Sequence, residues 1–176
     1  YASTYTEELV IPGPRLPITK DNELFIEAAE LGKMLIRLHT FGEVYYSNES
    51  KEYLVPAGLA RIVKNISSQE HDYPEHFSFN ESTLTLIVGN GEVSPVSKEV
   101  FNFSISGLEV VKKWLSNRMK DGSGKESSPL DKIRSPLWTA QMNQELLELL
   151  WVLEFTISAF PNMNSIFQRI IRSNCF

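Results

Sequence analysis

Apolar residues change their period twice along this chain of 176 residues, and that change limits the folds open to it. Leu24, Ala28, Leu31, Leu35 and Leu38 recur at threes and fours, which predicts a helix over about 22–41. Thr19 or Asp21 can cap it, Glu23 suits its first turn, Phe25 and Met34 widen its apolar stripe, and Gly42 is a terminator. Over 43–104 the apolar residues become mostly Val, Ile, Tyr and Phe, in short runs broken by Pro56, Gly58, Pro74, Gly89, Gly91 and Pro95. Strands are expected at 60–66, 75–79, 83–88 and 98–105. Thr83–Val88 followed by Gly89-Asn90-Gly91 reads as a strand and tight turn. Phe101, Phe103 and Ile105 alternate with polar neighbours, as a half-buried strand requires. Helical spacing returns with Leu108, Val111, Leu115 and Met119, flanked by Val110 and Trp114. A long helix is expected over about 139–159, with Leu146, Leu149, Leu150, Leu153 and Ile157 on its core side. Pro161 should end it, and a short helix over about 162–172 should follow with Ile166, Phe167, Ile170 and Ile171. Helix, strands, then helices is an α+β order: a small, mainly antiparallel sheet with about four helices, the longest near the C-terminus.

A chain of this length, 42% hydrophobic, can bury a core without disulfides or metals. One domain over 1–176 is expected. Residues 1–18, with Pro12, Pro14 and Pro17, read as an extended arm packed through Leu9, Val10, Ile11 and Leu16. Residues 120–136 read as a polar Gly/Ser/Pro-rich loop. The single cysteine, Cys175, excludes a disulfide scaffold and a thiolate zinc site. No uninterrupted apolar run approaches the roughly 18 residues that span a bilayer, so no membrane partner is expected. Four N-x-[ST] sequons, at Asn48, Asn65, Asn80 and Asn102, stand little above the roughly two that chance supplies. With one cysteine, a cytoplasmic location is the expectation. The first residue, Tyr1, is not Met, so a fragment or processed product is expected.

Charge is distributed unevenly. The net charge is −5, but residues 1–106 hold 8 basic and 15 acidic groups, whereas 107–136 hold 7 and 4. An acidic body argues against a non-specific nucleic-acid coat. The basic segment consists of Lys112, Lys113, Arg118, Lys120, Lys125, Lys132 and Arg134.

Familiar catalytic patterns fail on inspection. Gly122-Ser-Gly-Lys125 resembles the end of a phosphate-binding loop, yet Met119 stands where the first glycine belongs and Glu126 where Ser or Thr must hold magnesium. His71, Asp72, Glu75 and His76 are potential metal ligands, but the histidines lie five apart with Pro74 between them, so a solvated loop is favoured. His39 closes the first helix, where a protonated imidazole suits the dipole. Glu145 and Glu148 oppose the leucines of their helix and read as a solvated face. No nucleophile elbow, HExxH or dinucleotide fingerprint occurs, and Cys175 has no motif around it. Catalysis by this chain alone is not expected.

The run Phe103-Ser-Ile-Ser-Gly-Leu-Glu-Val-Val-Lys-Lys-Trp-Leu-Ser-Asn-Arg118, with Ser128-Pro-Leu-Asp131, Trp138 and Glu145-Leu-Leu-Glu-Leu-Leu-Trp-Val-Leu153, resembles the C-terminal specificity domain of type ISP restriction-modification enzymes. Leu31-Gly32 and Leu38-His39 join the pattern, which extends from about Pro14 to Ile171. The resemblance implies the later part of a DNA target-recognition domain from a single-chain enzyme. Such an enzyme carries a nuclease, an ATP-driven helicase or translocase and an adenine DNA methyltransferase. S-adenosylmethionine, ATP and Mg2+ would serve those other domains, with no cofactor here; the N-P-P-Y methyltransferase motif does not occur in this chain. Double-stranded DNA, and the methyltransferase and helicase domains of the same chain, would be its partners. Basic side chains mostly position phosphates, while Arg, Lys, Asn and Gln read bases from a groove. Lys112, Lys113, Lys120, Lys125, Lys132 and Arg134 are accordingly candidate backbone contacts, each equally explicable as a solubilising surface residue. Arg118 is a further DNA candidate or a cap on a carboxylate or carbonyl; Trp114 fits a core better than DNA. Asn90 is a base-reading candidate that turn geometry also explains. The alternative is a docking module that braces the methyltransferase domain without reading bases.

Overall fold

The structure, a computed structural model, describes residues 16–40, 55–120 and 135–176. Their elements run α1 (Asn22–His39), β1 (Arg61–Lys64), β2 (Phe77–Asn80), β3 (Thr85–Val88), β4 (Gly91–Ser94), α2 (Lys98–Phe101), β5 (Ser104–Ile105), β6 (Leu108–Glu109), α3 (Val110–Ser116) and α4 (Ala140–Arg172). The first four strands form one antiparallel sheet in the order β1-β4-β3-β2, and β5 pairs with β6 alone. This is the expected α+β architecture, with the longest helix at the C-terminus. Most of the expected arm over 1–18, with Leu9, Val10 and Ile11, the terminator Gly42 and most of the loop over 120–136 lie outside the described residues. Leu16, expected to pack the arm on the body, is exposed instead.

Chain contacts define two compact units, one of residues 1–54 and 158–176, the other of 55–157. In the first, Asp21 caps α1 by accepting from Leu24 N at 3.1 Å, and Leu24 and Leu38 are buried. Phe25 and Met34, expected to widen that stripe, are exposed. The segment entering α1 pairs with the last residues of the chain. Thr19 bridges to Cys175, Lys20 N donates to Asn174 O at 2.8 Å, and Ser173 Oγ donates to Thr19 Oγ1 at 2.6 Å. Glu27 and Arg169 add an ion pair at 2.7 Å.

In the second unit, Leu86, Val88 and Val93 alternate with half-buried neighbours, so one face of the sheet is turned into the core. Val96, Val100, Val111, Leu115, Trp138, Leu146 and Leu150 complete that core. Gly89, at φ 57, turns β3 into β4 where the strand-and-turn pattern places it.

Two expectations need correction. Residues 98–105 are not one strand: Ser97 Oγ accepts from Val100 N at 3.2 Å and caps the helical turn α2, leaving only Ser104–Ile105 in a strand. The adjacent residues Val100 and Phe101 are both buried, which a strand with one face in solvent does not give and a helical turn allows. Pro161 does not end a helix either, because α4 continues through it to Arg172. Ala159 and Ile166 are buried on its two sides, while Pro161 itself, which costs roughly 3 kcal/mol inside a helix, is exposed. A 33-residue helix of this composition is long and apolar enough to cross a bilayer, which a search for uninterrupted apolar runs does not register. Its residues Leu146, Leu150, Trp151, Val152 and Leu153 are buried within the second unit.

Candidate functional site

The basic segment begins on α3. Val111, Leu115 and Met119 are buried and anchor this short helix and the turn that follows it. Lys113, Ser116, Asn117 and Lys120 are exposed opposite them. Lys113 and Asn117 are joined by a helical backbone bond, Asn117 N to Lys113 O at 3.1 Å, and so occupy adjacent turns of one face. Lys120 is fixed through its backbone, whose N–H donates to Pro74 O at 2.9 Å. Lys113 and Asn117 thus form a narrow exposed ridge, with Lys120 exposed three residues further along the chain. Such a ridge can pair with anionic oxygens and present a donor and an acceptor together.

The other described candidates are engaged within the protein. Lys112 is paired with Glu109, one turn away, and its ammonium lies 5.0 Å from the centroid of the buried Phe101 ring. Arg118 is more heavily committed. Its guanidinium stacks 3.7 Å from the Trp114 centroid, and its Nη2 lies 3.1 Å from Glu145 Oε2. Trp114 and Tyr73 each meet Trp138 edge-on at 6.3 Å, and the Tyr73 hydroxyl donates to Arg118 O at 2.9 Å. Trp138 in turn donates from Nε1 to Asn143 Oδ1 at 2.7 Å. Arg118 thus takes the carboxylate-capping arrangement, and the Glu145 carboxylate is part of this cluster. Lys125, Lys132, Arg134 and the Gly122–Lys125 segment lie outside the described residues.

Asn90 sits in the β3–β4 turn, where Oδ1 accepts from Ser67 N at 3.0 Å and fastens the loop that follows β1. His71 and Asp72 approach at 3.5 Å on an exposed 3-10 turn. Among the described residues no group of three or more His, Cys, Asp or Glu side chains could hold a metal ion. Partial desolvation lowers the His39 pKa from its ordinary value, which opposes the protonated form expected at the end of α1.

Asn117 is a residue that sequence reasoning does not single out. Its spacing of four from Lys113 is the available pointer, and it gains meaning only once Leu115 and Met119 are known to be buried. Leu108, which its spacing assigns to a helical core stripe, stands exposed on β6.

The family model for the type ISP C-terminal specificity domain matches residues 1–149, and the chain belongs to that family. The role of such a domain is recognition of a target, with catalysis left to other parts of an enzyme. No curated protein and no solved structure matches the chain.

Proposed function

We propose that this chain is the later part of the DNA target-recognition domain of a cytoplasmic, single-chain restriction-modification enzyme. The parent is an adenine-specific DNA methyltransferase with ATP-dependent endonuclease activity. Its methyltransferase and helicase domains use S-adenosylmethionine, ATP and Mg2+, and duplex DNA is the common partner. Membership of a specificity-domain family carries the reading. The exposed α3 ridge supports it with a physical means: Lys113 and Lys120 approach phosphates, while Asn117 offers the amide that pairs with adenine in a groove.

The test is salt-dependent binding of the intact parent enzyme to duplex DNA. Each phosphate that a cation no longer neutralises lowers the slope of log K against log salt by about 0.9. Lys113→Glu/Lys120→Glu should weaken binding at least tenfold and flatten the slope by about two. Lys112→Ala should change both less, because Glu109 already takes part of its charge. Unchanged affinity and slope in Lys113→Glu/Lys120→Glu would remove the ridge from the interface.

The engagement of Arg118 with Glu145 and Trp114 favours a second role for this part of the chain, as a brace. It ties the exit of α3 to α4 and does not require contact with bases. Crosslinks from 107–120 to protein alone, with none to DNA, would support that role in place of the first.

A further inference from the structure

The β5–β6 hairpin contributes no buried residue to the core of the second unit. All six of its residues, Ser104–Glu109, are exposed, although the segments on either side bury Phe101 and Val111. Its conformation is nevertheless closely specified. Val110 N donates to Phe103 O at 3.0 Å across its base, and Ser104 pairs with Glu109 and Ile105 with Leu108. Ser106 and Gly107 turn the chain at φ 51 and 82, the doubly left-handed geometry of the tightest hairpins. Serine adopts that region at a conformational cost, and such strain tends to persist where a segment is used. Flanking the turn are two large aliphatic side chains, directly across from each other and therefore on one face. Ile105 is 55% exposed and Leu108 51%. Each leaves about half of its surface in solvent.

We infer that this hairpin is a wedge that enters the minor groove of duplex DNA and inserts Ile105 and Leu108 at a single base step. The inference rests on the target-recognition reading and deepens it. Three observations favour a base step over a protein surface. First, two aliphatic side chains on a two-residue turn are too small for a specific protein interface, which buries on the order of 1,000 Å² or more. They suffice for a wedge, since one or two apolar side chains unstack a step. Second, the hairpin leads directly into the cationic ridge. Residues 103–120 hold four basic groups and one acidic, whereas 55–102 hold three basic and six acidic. The local charge around the tip thus suits a polyanion, while the preceding body repels one. Third, the turn is preorganised, so insertion need not be preceded by ordering of the hairpin. A kinked step would be read by its deformability, giving sequence preference without hydrogen bonds to bases.

The experiment uses the intact parent enzyme and a duplex that this enzyme selects from a random-sequence pool. 2-Aminopurine is placed at successive steps through the selected site. The wild type should raise its fluorescence several-fold at one step, as unstacking does. Ile105→Ser/Leu108→Ser should abolish that rise and weaken binding to the selected duplex ten- to a hundredfold. Its affinity for unrelated duplex should remain within error and its unfolding temperature should change little, because about half of each side chain is already in solvent. Tight binding by the wild type with no rise at any step overturns the wedge and leaves target recognition standing. So does a double variant that keeps the rise. A lowered unfolding temperature in the variant, without any fluorescence rise in the wild type, identifies docking against another domain and likewise overturns it. Failure of the wild type to prefer any duplex overturns the recognition reading and the wedge with it.

Discussion

Glu154 on α4 replaces the missing partners of a turn distant in sequence, and a Cβ at Gly58 would displace it. The Glu154 carboxylate accepts from Leu59 N at 2.6 Å through Oε2 and from Ala60 N at 3.2 Å through Oε1. Trp151, one turn earlier on α4, donates from Nε1 to Ala60 O at 2.9 Å. A Cβ added at Gly58 collides with Glu154 Oε2 and comes within 2.8 Å of Trp151 Cδ1. Gly58 lies outside the left-handed region, so alanine brings no backbone strain. The collision is with the end of a flexible side chain, which swings away and gives up both hydrogen bonds. Charge-assisted bonds are worth about 1.5–3 kcal/mol when buried, and about 1 kcal/mol each is reasonable in this partly exposed turn. Against that loss, alanine lowers the entropy of the unfolded chain by about 0.4–1 kcal/mol. Gly58→Ala should therefore destabilise by about 1–2 kcal/mol, Glu154→Ala by a similar amount, and the double variant by little more than either. The coupling is about 1–2 kcal/mol, and urea unfolding followed by tryptophan fluorescence measures it. Gly91→Ala serves as the control, since its Cβ meets the backbone of Ile66, at 2.6 Å from Cα and 2.7 Å from N, and no side chain can yield. It should cost more than Gly58→Ala and add fully to Glu154→Ala. Additivity of Gly58→Ala with Glu154→Ala to within about 0.5 kcal/mol would refute the displacement.

The engagement of Asn90 with Ser67 gives a prediction that separates a turn residue from a base reader. Asn90→Ala should lower stability by about 1 kcal/mol in urea unfolding, while the affinity of the parent for its selected duplex stays within twofold. The depressed pKa of His39 has a consequence for stability against pH. Since the folded chain holds that proton less readily than the unfolded chain, stability is full above the ordinary imidazole value of about 6.5 and declines as pH falls through the lower folded value. Thermal unfolding from pH 7.5 to 5 should show a fall in Tm that is shallower in His39→Gln, with NMR titration placing the imidazole below its ordinary range.

Where local and tertiary forces agree, the sequence pattern is readable. Leu24 and Leu38 mark α1, Leu146, Leu150 and Leu153 mark α4, and Gly89-Asn90-Gly91 marks the hairpin turn. The pattern misleads where one residue type serves two periods. Phe101, Phe103 and Ile105 alternate as a strand should, but Ser97 caps a helical turn that takes in Phe101, and of the three only Ile105 lies in a strand. Leu108 stands three residues before Val111 and so mimics a helical stripe, although Gly107 has already turned the chain into β6. The strand β4 escapes a reading of the sequence because Gly91-Glu-Val-Ser94 offers a single apolar residue, and its pairing with β1 and β3 supplies what propensity does not. The candidate site is legible as a charged interval and no further. Which cations face solvent depends on Glu109, Glu145 and Trp114, and no spacing rule reports those partners.

Pro161 is the sharpest disagreement between local rule and structure, and it can be tested directly. Proline removes the N–H that would bond the carbonyl of Ile157, and its ring crowds that carbonyl. A stop at this position would leave the residues on either side in separate helices, with Pro161 in a connection that tolerates it. Within the continuous α4 it occupies an exposed interior position, where alanine is preferred by about 3 kcal/mol. The stiffer unfolded chain of the wild type returns about 0.4–1 kcal/mol of that difference. Restored hydrogen bonding in Pro161→Ala should therefore raise stability by about 2–2.6 kcal/mol and Tm by roughly 4–10 °C. Amide exchange at 160–165 should slow along with it, because the added bond is local. If Pro161 instead marked a break, alanine would free the connection, leaving exchange unchanged or faster and stability unchanged or lower. That result would mean that Ala159 and Ile166 are buried by two helices and not one.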